Sequence, residues 1–241
     1  EQIIEEKIEN NTFGTVIHDS LEALYTPFVG KTLDAKSIEE INSQIDTVVK
    51  KQYYHHLNLS PDSGSHRLAF EVAKKLVENT VEIDSTAVEK GKKIQIVALE
   101  QQVEWETEIK LDEKVKQNVL LKGKIDRVDR LNGQLRIIDY KSGNVDYGNL
   151  SYKDMSSLSG GNKSIALQML IYQLIYENKF SESANAGVIS MRNTKAGFIG
   201  LKRNEDDDAE ALLKIVIAQM LDTEASFIHN EKSKYCAFCE E

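Results

Sequence analysis

Two short strings near the middle of the chain hold acids and lysines that could act together: Lys124 and Asp126 in GKIDRVD (residues 123–129), and Asp139 and Lys141 in IIDYKSG (residues 137–143). Asn132-Gly133 between them is the two-residue signal of a tight β-hairpin. With Leu131 facing Gln134, counting back along both strands sets Asp126 directly opposite Asp139 and Lys124 opposite Lys141. Side chains alternate along a strand, so all four are expected on one face. Opposed Cβ atoms sit about 4.5–5.5 Å apart, and two ionised carboxylates at that range repel by roughly 3 kcal/mol at an effective dielectric of about 20. A hard divalent cation drawing oxygen from both acids removes the repulsion, and Mg²⁺ characteristically uses one or two carboxylates plus substrate phosphates. Lys141 would stand beside that ion, placed to orient or deprotonate a water or to stabilise charge on a phosphate. The competing account is a solvent-exposed hairpin face whose lysines simply pair with the aspartates. A bulge or longer loop would also break the register.

Other residues with metal or proton chemistry are less distinctive. His18 lies in GTVIHDSLEALY (residues 14–25), where Ile17, His18, Leu21, Leu24 and Tyr25 fall at helical spacing along one face. A lone histidine there is ordinarily a hydrogen-bonded core residue. Gln168 and Tyr172 are one helical turn apart and share a face, although Tyr172 could equally pack with Leu167, Ile171 and Ile175. Glu100, in VALEQQV (residues 97–103), is a further acid near the hairpin. Its neighbours Glu104, Glu106 and Glu108 resemble it, so it reads as an ordinary exposed strand position. His55, His56 and His66 lack partners at ligand spacing and read as surface or capping residues.

The elements that must position these groups divide at about residue 93. Before it, residues 14–25, 34–53 and 65–90 carry helical periodicity, with Asp34 and Ser65 as N-caps. They form a helical front end and cap. After it, residues 94–111, 118–131 and 134–140 have the branched, alternating character of strands. A Gly, Ser and Asn-rich loop at 143–162 leads to a helix at 163–178, short strands at 186–192 and 197–201, and a last helix at 206–228. Asp206, Asp207 and Asp208 complement that helix's dipole. With two prolines and no linker, the chain reads as a single domain over 1–241: helical part and cap to 92, core to 228, and a tail to 241.

The net charge of −9 weighs against a polyanion partner, but its distribution does not. Residues 1–113 hold 12 Lys and Arg against 22 Asp and Glu, and residues 204–241 hold 3 against 10. Residues 114–203 hold 15 against 7, so the middle is basic. Lys195, Lys202 and Arg203 there could meet phosphates or simply be solvated. No apolar run approaches the roughly 18 residues of a membrane span, and no targeting pattern is visible. A cytoplasmic protein without membrane partners is expected. The chain opens on Glu1 rather than Met, and is read as part of something longer.

GKIDRVD, IIDYKSG and the later QMLIY (residues 168–172), preceded by GTVIHDSLEALY, together resemble the RecB-like branch of the PD-(D/E)XK nucleases, in the order that family uses. The pattern is similar to that of the nuclease domains of AddB-type helicase-nucleases. The resemblance implies an α/β fold: a restriction-endonuclease-like core with a central mixed β-sheet flanked by helices, plus the N-terminal helical region. It implies hydrolysis of DNA phosphodiesters with Mg²⁺ or Mn²⁺, leaving 5′-phosphates, and a role in DNA repair as an exonuclease beside a helicase subunit or domain. Asp126, Asp139 and the backbone carbonyl of Tyr140 would bind metal with His18. Lys141 would be the catalytic lysine, with Gln168 and Tyr172 flanking it. The terminal YCAFC, with Cys236 and Cys239, resembles part of a 4Fe-4S motif whose other cysteines would lie outside this sequence, so no intact cluster should form. An unassigned thiol pair or a redox CxxC are the alternatives. Two other functions stay open: a catalytically silent nucleic-acid-binding or scaffolding module, and a phosphoesterase acting on nucleotides or RNA.

Overall fold

The computed structural model describes residues 10–60, 64–111, 115–152, 158, 163–202 and 208–223. Its strands are β1 (Thr32–Leu33), β2 (Ile94–Lys110), β3 (Lys116–Leu131), β4 (Gln134–Lys141), β5 (Asn185–Ser190) and β6 (Phe198–Gly200). They form one sheet in sequence order. All neighbours are antiparallel except β4 and β5. A parallel pair needs a crossover, and α4 (Ser164–Phe180) lies in the connection from β4 to β5. The other helices are α1 (Asn10–Tyr25), α2 (Ala35–Leu57), α3 (Gly64–Glu89) and α5 (Ala209–Leu221). The expected mixed sheet flanked by helices is therefore present.

The two sheet faces bury different partners. Val16, Ile17, Leu21 and Tyr25 of α1 pack with α2, α3 and the β-residues Ile94, Ile96, Ile138 and Ile189. Thus the front end supplies most of this core, and its apolar stripe faces the sheet. Met169, Ile175 and Tyr176 of α4 cover Ile125, Val128, Ile137 and Val188 on the opposite face. Among the described residues no helix is long and apolar enough to cross a membrane.

Local signals placed most elements well. Asn132 and Gly133 take φ of 52° and 88°, the turn whose twist matches the strands it joins. Asp34 caps α2 by accepting the Ser37 N–H at 2.8 Å, and Asp208 caps α5 by accepting that of Ala211 at 3.0 Å. α3 starts at Gly64, one residue before the expected cap Ser65. The two-residue β1 has no periodicity to betray it. Asp206, Asp207, Arg203, Cys236 and Cys239 lie outside the described residues.

One feature of the core is invisible to periodicity. Arg127, Asp129, Asp84 and Arg136 are all at least nine-tenths buried. Arg127 donates from Nη1 to Asp84 Oδ2 at 2.6 Å and pairs through Nη2 with Asp129. Arg136 grips Asp129 with Nε and Nη2, both at 2.8 Å. The Tyr25 hydroxyl donates to Asp84 at 2.7 Å, and Arg127 donates to the Tyr140 hydroxyl at 3.3 Å. Two acids and two guanidinium groups cancel in charge, and bidentate geometry offsets part of the desolvation cost. The network ties α1, α3, β3 and β4 together one residue from Asp126 and one from Asp139.

Removing one partner of such a network leaves a buried charge uncompensated, and among the described residues Asp84 would keep Tyr25 alone as a hydrogen-bond partner. Arg127→Met is expected to lower the unfolding free energy by about 3–5 kcal/mol in urea denaturation. A loss under about 1 kcal/mol would show that the network adds little.

Candidate metal centre and active site

The β3–β4 ladder follows the expected register from Leu131↔Gln134 to Arg127↔Ile138, and there it stops. Asp126 and Asp139 are not a ladder pair. Asp126 Oδ2 instead accepts the Tyr140 N–H at 2.7 Å. A carboxylate oxygen thus takes the place of a backbone carbonyl, and the strands part around it. Lys124 does not face Lys141 either: it stays in the β2–β3 ladder opposite Gln102, and its ammonium pairs with Glu100.

Glu100 is the residue the sequence reading undervalued. It falls between the pairs Leu99↔Arg127 and Gln101↔Ile125 and has φ of 48°, in the left-handed region. Such a conformation costs a non-glycine residue about 1–3 kcal/mol and needs surroundings that hold it. The strand changes face across this point: Leu99 packs in the α1–α3 core and Val103 in the α4 core, although residues four apart on a regular strand share a face. The Glu100 side chain is only 11% exposed. Nothing in its residue type separates it from Glu104, Glu106 or Glu108; the irregularity of the backbone does.

α1 supplies the third group. His18 Nδ1 lies 3.3 Å from Asp126 Oδ2, and its ring meets the Tyr140 ring edge-on at 6.1 Å. His18, Glu100 and Asp126 each offer one ligand atom, all within 4.8 Å of one another. Asp139 stands beside this triad rather than within it. Its Oδ1 accepts from Gln168 Nε2 at 3.0 Å, and its Oδ2 lies 2.8 Å from Lys141 Nζ without hydrogen-bond alignment. Lys141 Nζ donates to Gln168 Oε1 at 2.9 Å, and Gln168 Nε2 also reaches the Tyr172 hydroxyl at 3.2 Å. Lys141, Asp139, Gln168 and Tyr172 therefore form one linked set. Tyr140 contributes its N–H, while its side chain is buried toward Arg127.

Electrostatics indicate what this centre lacks. Burial, then the Asp126 charge, pushes the Asp139 carboxyl up to about 6 despite Lys141. Burial also raises Glu100 in spite of Lys124. For His18, burial alone would lower the pKa, but the Asp126 hydrogen bond and the charges of Asp126, Asp139 and Glu100 raise it. All three groups are driven to take up a proton, which is the response of a site short of positive charge. Two carboxylates and an imidazole suit a divalent cation, and the only buried carboxylate oxygen without an aligned donor among the described residues is Asp139 Oδ2, at the edge of the triad. The residues fit such an ion.

The remaining histidines are elsewhere. His56 pairs with Asp19 at 2.7 Å, and His66 hydrogen-bonds the Tyr53 hydroxyl at 3.2 Å. Both are partly buried helix-packing contacts rather than surface or capping groups. Lys202 sits over the Tyr147 ring at 5.8 Å.

Gly123 completes the seat of Tyr172. A Cβ on Gly123 would come within 2.7 Å of Tyr172 Cε1 and 3.0 Å of Cδ1, so the ring lies directly on the glycine. Gly123→Ala is expected to leave the sheet intact and tilt the ring, breaking the Tyr172–Gln168 hydrogen bond. A crystal structure of the variant with that bond still below 3.5 Å would contradict this.

The whole-chain comparison agrees with the architecture. A model of the PD-(D/E)XK nuclease superfamily matches residues 1–240. Among curated proteins no significant match is found. The sheet, its crossover helix and the acid, lysine and glutamine groups at the opened hairpin fall within that match, and the chain belongs to the PD-(D/E)XK nuclease superfamily.

Proposed function

We propose that the chain is a metal-dependent deoxyribonuclease of the RecB-like branch, acting as the nuclease domain of a larger repair or recombination helicase-nuclease. The observation that carries the metal-dependent reading is the convergence of His18, Glu100 and Asp126 within 4.8 Å, beside Asp139 and Lys141. A helix-borne histidine joined to the hairpin acids supports the RecB-like assignment. The basic middle of the chain supports a nucleic-acid substrate.

In this reading His18, Glu100 and Asp126 would hold Mg²⁺ or Mn²⁺, with Asp139 and the Tyr140 carbonyl as further candidate ligands. The bound ion would supply Lewis-acid charge and a water of lowered pKa. Everything else is done by the chain. The Tyr140 N–H keeps Asp126 aimed. Gln168 fixes Lys141 and Asp139 through its two amide atoms. The Lys141 ammonium is then directed at the charge that develops on the phosphoryl oxygens. Water oxygen bonds to phosphorus in line, the bond to the 3′ oxygen breaks, and that oxygen leaves with a proton, so a 5′-phosphate remains.

Labelled single- and double-stranded DNA incubated with Mg²⁺ or Mn²⁺ should be cleaved, and EDTA should abolish cleavage. Asp139→Ala and Lys141→Ala should each lower the rate by about a hundredfold or more without unfolding. Undiminished degradation by either variant would refute the assigned roles. DNA binding without cleavage by the unaltered protein would favour a catalytically silent module, and faster turnover of RNA or mononucleotides would redirect the substrate assignment.

Metal affinity separates Glu100 from its acidic neighbours. In Mn²⁺ titration calorimetry, Glu100→Gln and His18→Ala are each expected to weaken binding by about tenfold or more, and Glu104→Gln to leave it unchanged. Equal affinities for Glu100→Gln and Glu104→Gln would remove Glu100 from the site.

A further inference from the structure

Away from the metal centre, a cleft of about 570 Å³ opens on the α3 face of the sheet, between the C-terminal end of α3, the start of β2 and the Thr194–Ala196 turn. None of its lining residues belongs to the His18, Glu100 and Asp126 group. Three lysines stand at its rim: Lys90, Lys92 and Lys195, all exposed. Among the described residues none of the three has a carboxylate within ion-pair distance. At the inner wall is Arg136, 7% exposed. Its Nε and Nη2 are committed to Asp129, and its guanidinium lies 5.0 Å from the centre of the Phe198 ring.

The charges around the cleft do not balance. Asp84 reaches the lining but is taken up by Arg127 and Tyr25. Glu82 is the other carboxylate of the lining, against three lysines. The α3 terminus does not offset this with free carbonyls: Thr86, Ala87 and Val88 accept the N–H groups of Lys90, Lys92 and Gly91. In a chain of net charge −9 this concentration of unpaired cations is local. Ile83, Ala87, Ile94, Leu131 and Phe198 form an apolar part of the wall, beside Thr86 and Thr194.

We propose that this cleft binds a nucleotide unit, its phosphates against Lys90, Lys92 and Lys195 and its base along the apolar wall. An apolar cleft of several hundred Å³ with a few convergent charged groups is the usual form of a small-ligand site, and lysines are ready phosphate partners. The same chemistry describes a free nucleotide and one unit of a polynucleotide passing over this face. The site does not depend on the nuclease reading, since neither its residues nor its charge belong to the metal centre.

The test is calorimetric titration of the whole protein with ADP, in EDTA so that no metal-bridged phosphate contributes. Saturable binding is expected, weakened more than tenfold by the double variant Lys92→Glu/Lys195→Glu, whose exposed positions do not support the fold. His18→Ala should bind ADP as the unaltered protein does. Competition by a nuclease-resistant single-stranded oligonucleotide would identify a polynucleotide as the source of the phosphate, and its failure to compete would identify a free nucleotide. Absence of saturable binding, affinity unchanged by the lysine reversals, or loss of ADP binding in His18→Ala would each overturn the proposal.

Discussion

The arrangement depends on one hydrogen bond, from the Tyr140 N–H to the Asp126 carboxylate. A regular hairpin would continue the ladder through this point and set two acids face to face, at a repulsive cost of a few kcal/mol. By taking the N–H with its own side chain, Asp126 ends the pairing one residue past Arg127↔Ile138. The opening admits His18 from α1 on one side and the Gln168 amide from α4 on the other. An acid used in this way is tied to the sheet through a charge-assisted bond, so the strand pair itself orients it.

Such a gap at the end of a ladder needs support from behind, and the buried Asp84, Arg127, Asp129 and Arg136 network provides it. Arg127 adjoins Asp126 in sequence and touches the Tyr140 hydroxyl, while Tyr25 reaches Asp84 from the helix that also carries His18. The same set of charges therefore sets the spacing between α1 and the two strands. A wholly apolar core could fill this volume, but it would offer less to fix the rotation of α1 about its axis and hence the reach of His18. The left-handed backbone at Glu100 works similarly on the neighbouring strand, turning one carboxylate inward at a local conformational cost.

Much of this was legible in residue order. Asn132-Gly133 predicts the hairpin and its register because that turn admits few alternatives. Periodicity predicts α1 with His18 on its apolar face, and the spacing of Gln168 and Tyr172 puts both on one helix face. What escaped was tertiary. Whether Asp126 pairs across the ladder or caps an N–H is decided by how far the strands twist apart, which no local signal records. The inward turn of Glu100 depends on an irregularity within a seventeen-residue strand. Arg127 and Asp129 look like exposed hairpin charges, because burial of ions depends on partners as distant in sequence as Asp84. The expected position of Lys124 opposite Lys141 failed because the β3–β4 ladder ends before reaching it.

In the function proposed above, the opened hairpin is shaped around a divalent cation. Anomalous diffraction from crystals soaked in Mn²⁺ addresses it directly. A peak is expected at about 2.0–2.3 Å from His18, Glu100 and Asp126, with Lys141 still held by Gln168. A peak elsewhere, or none at saturating Mn²⁺ while Lys124 remains on Glu100, would mean that the chain balances these acids with its own lysines and that the centre is not built for metal.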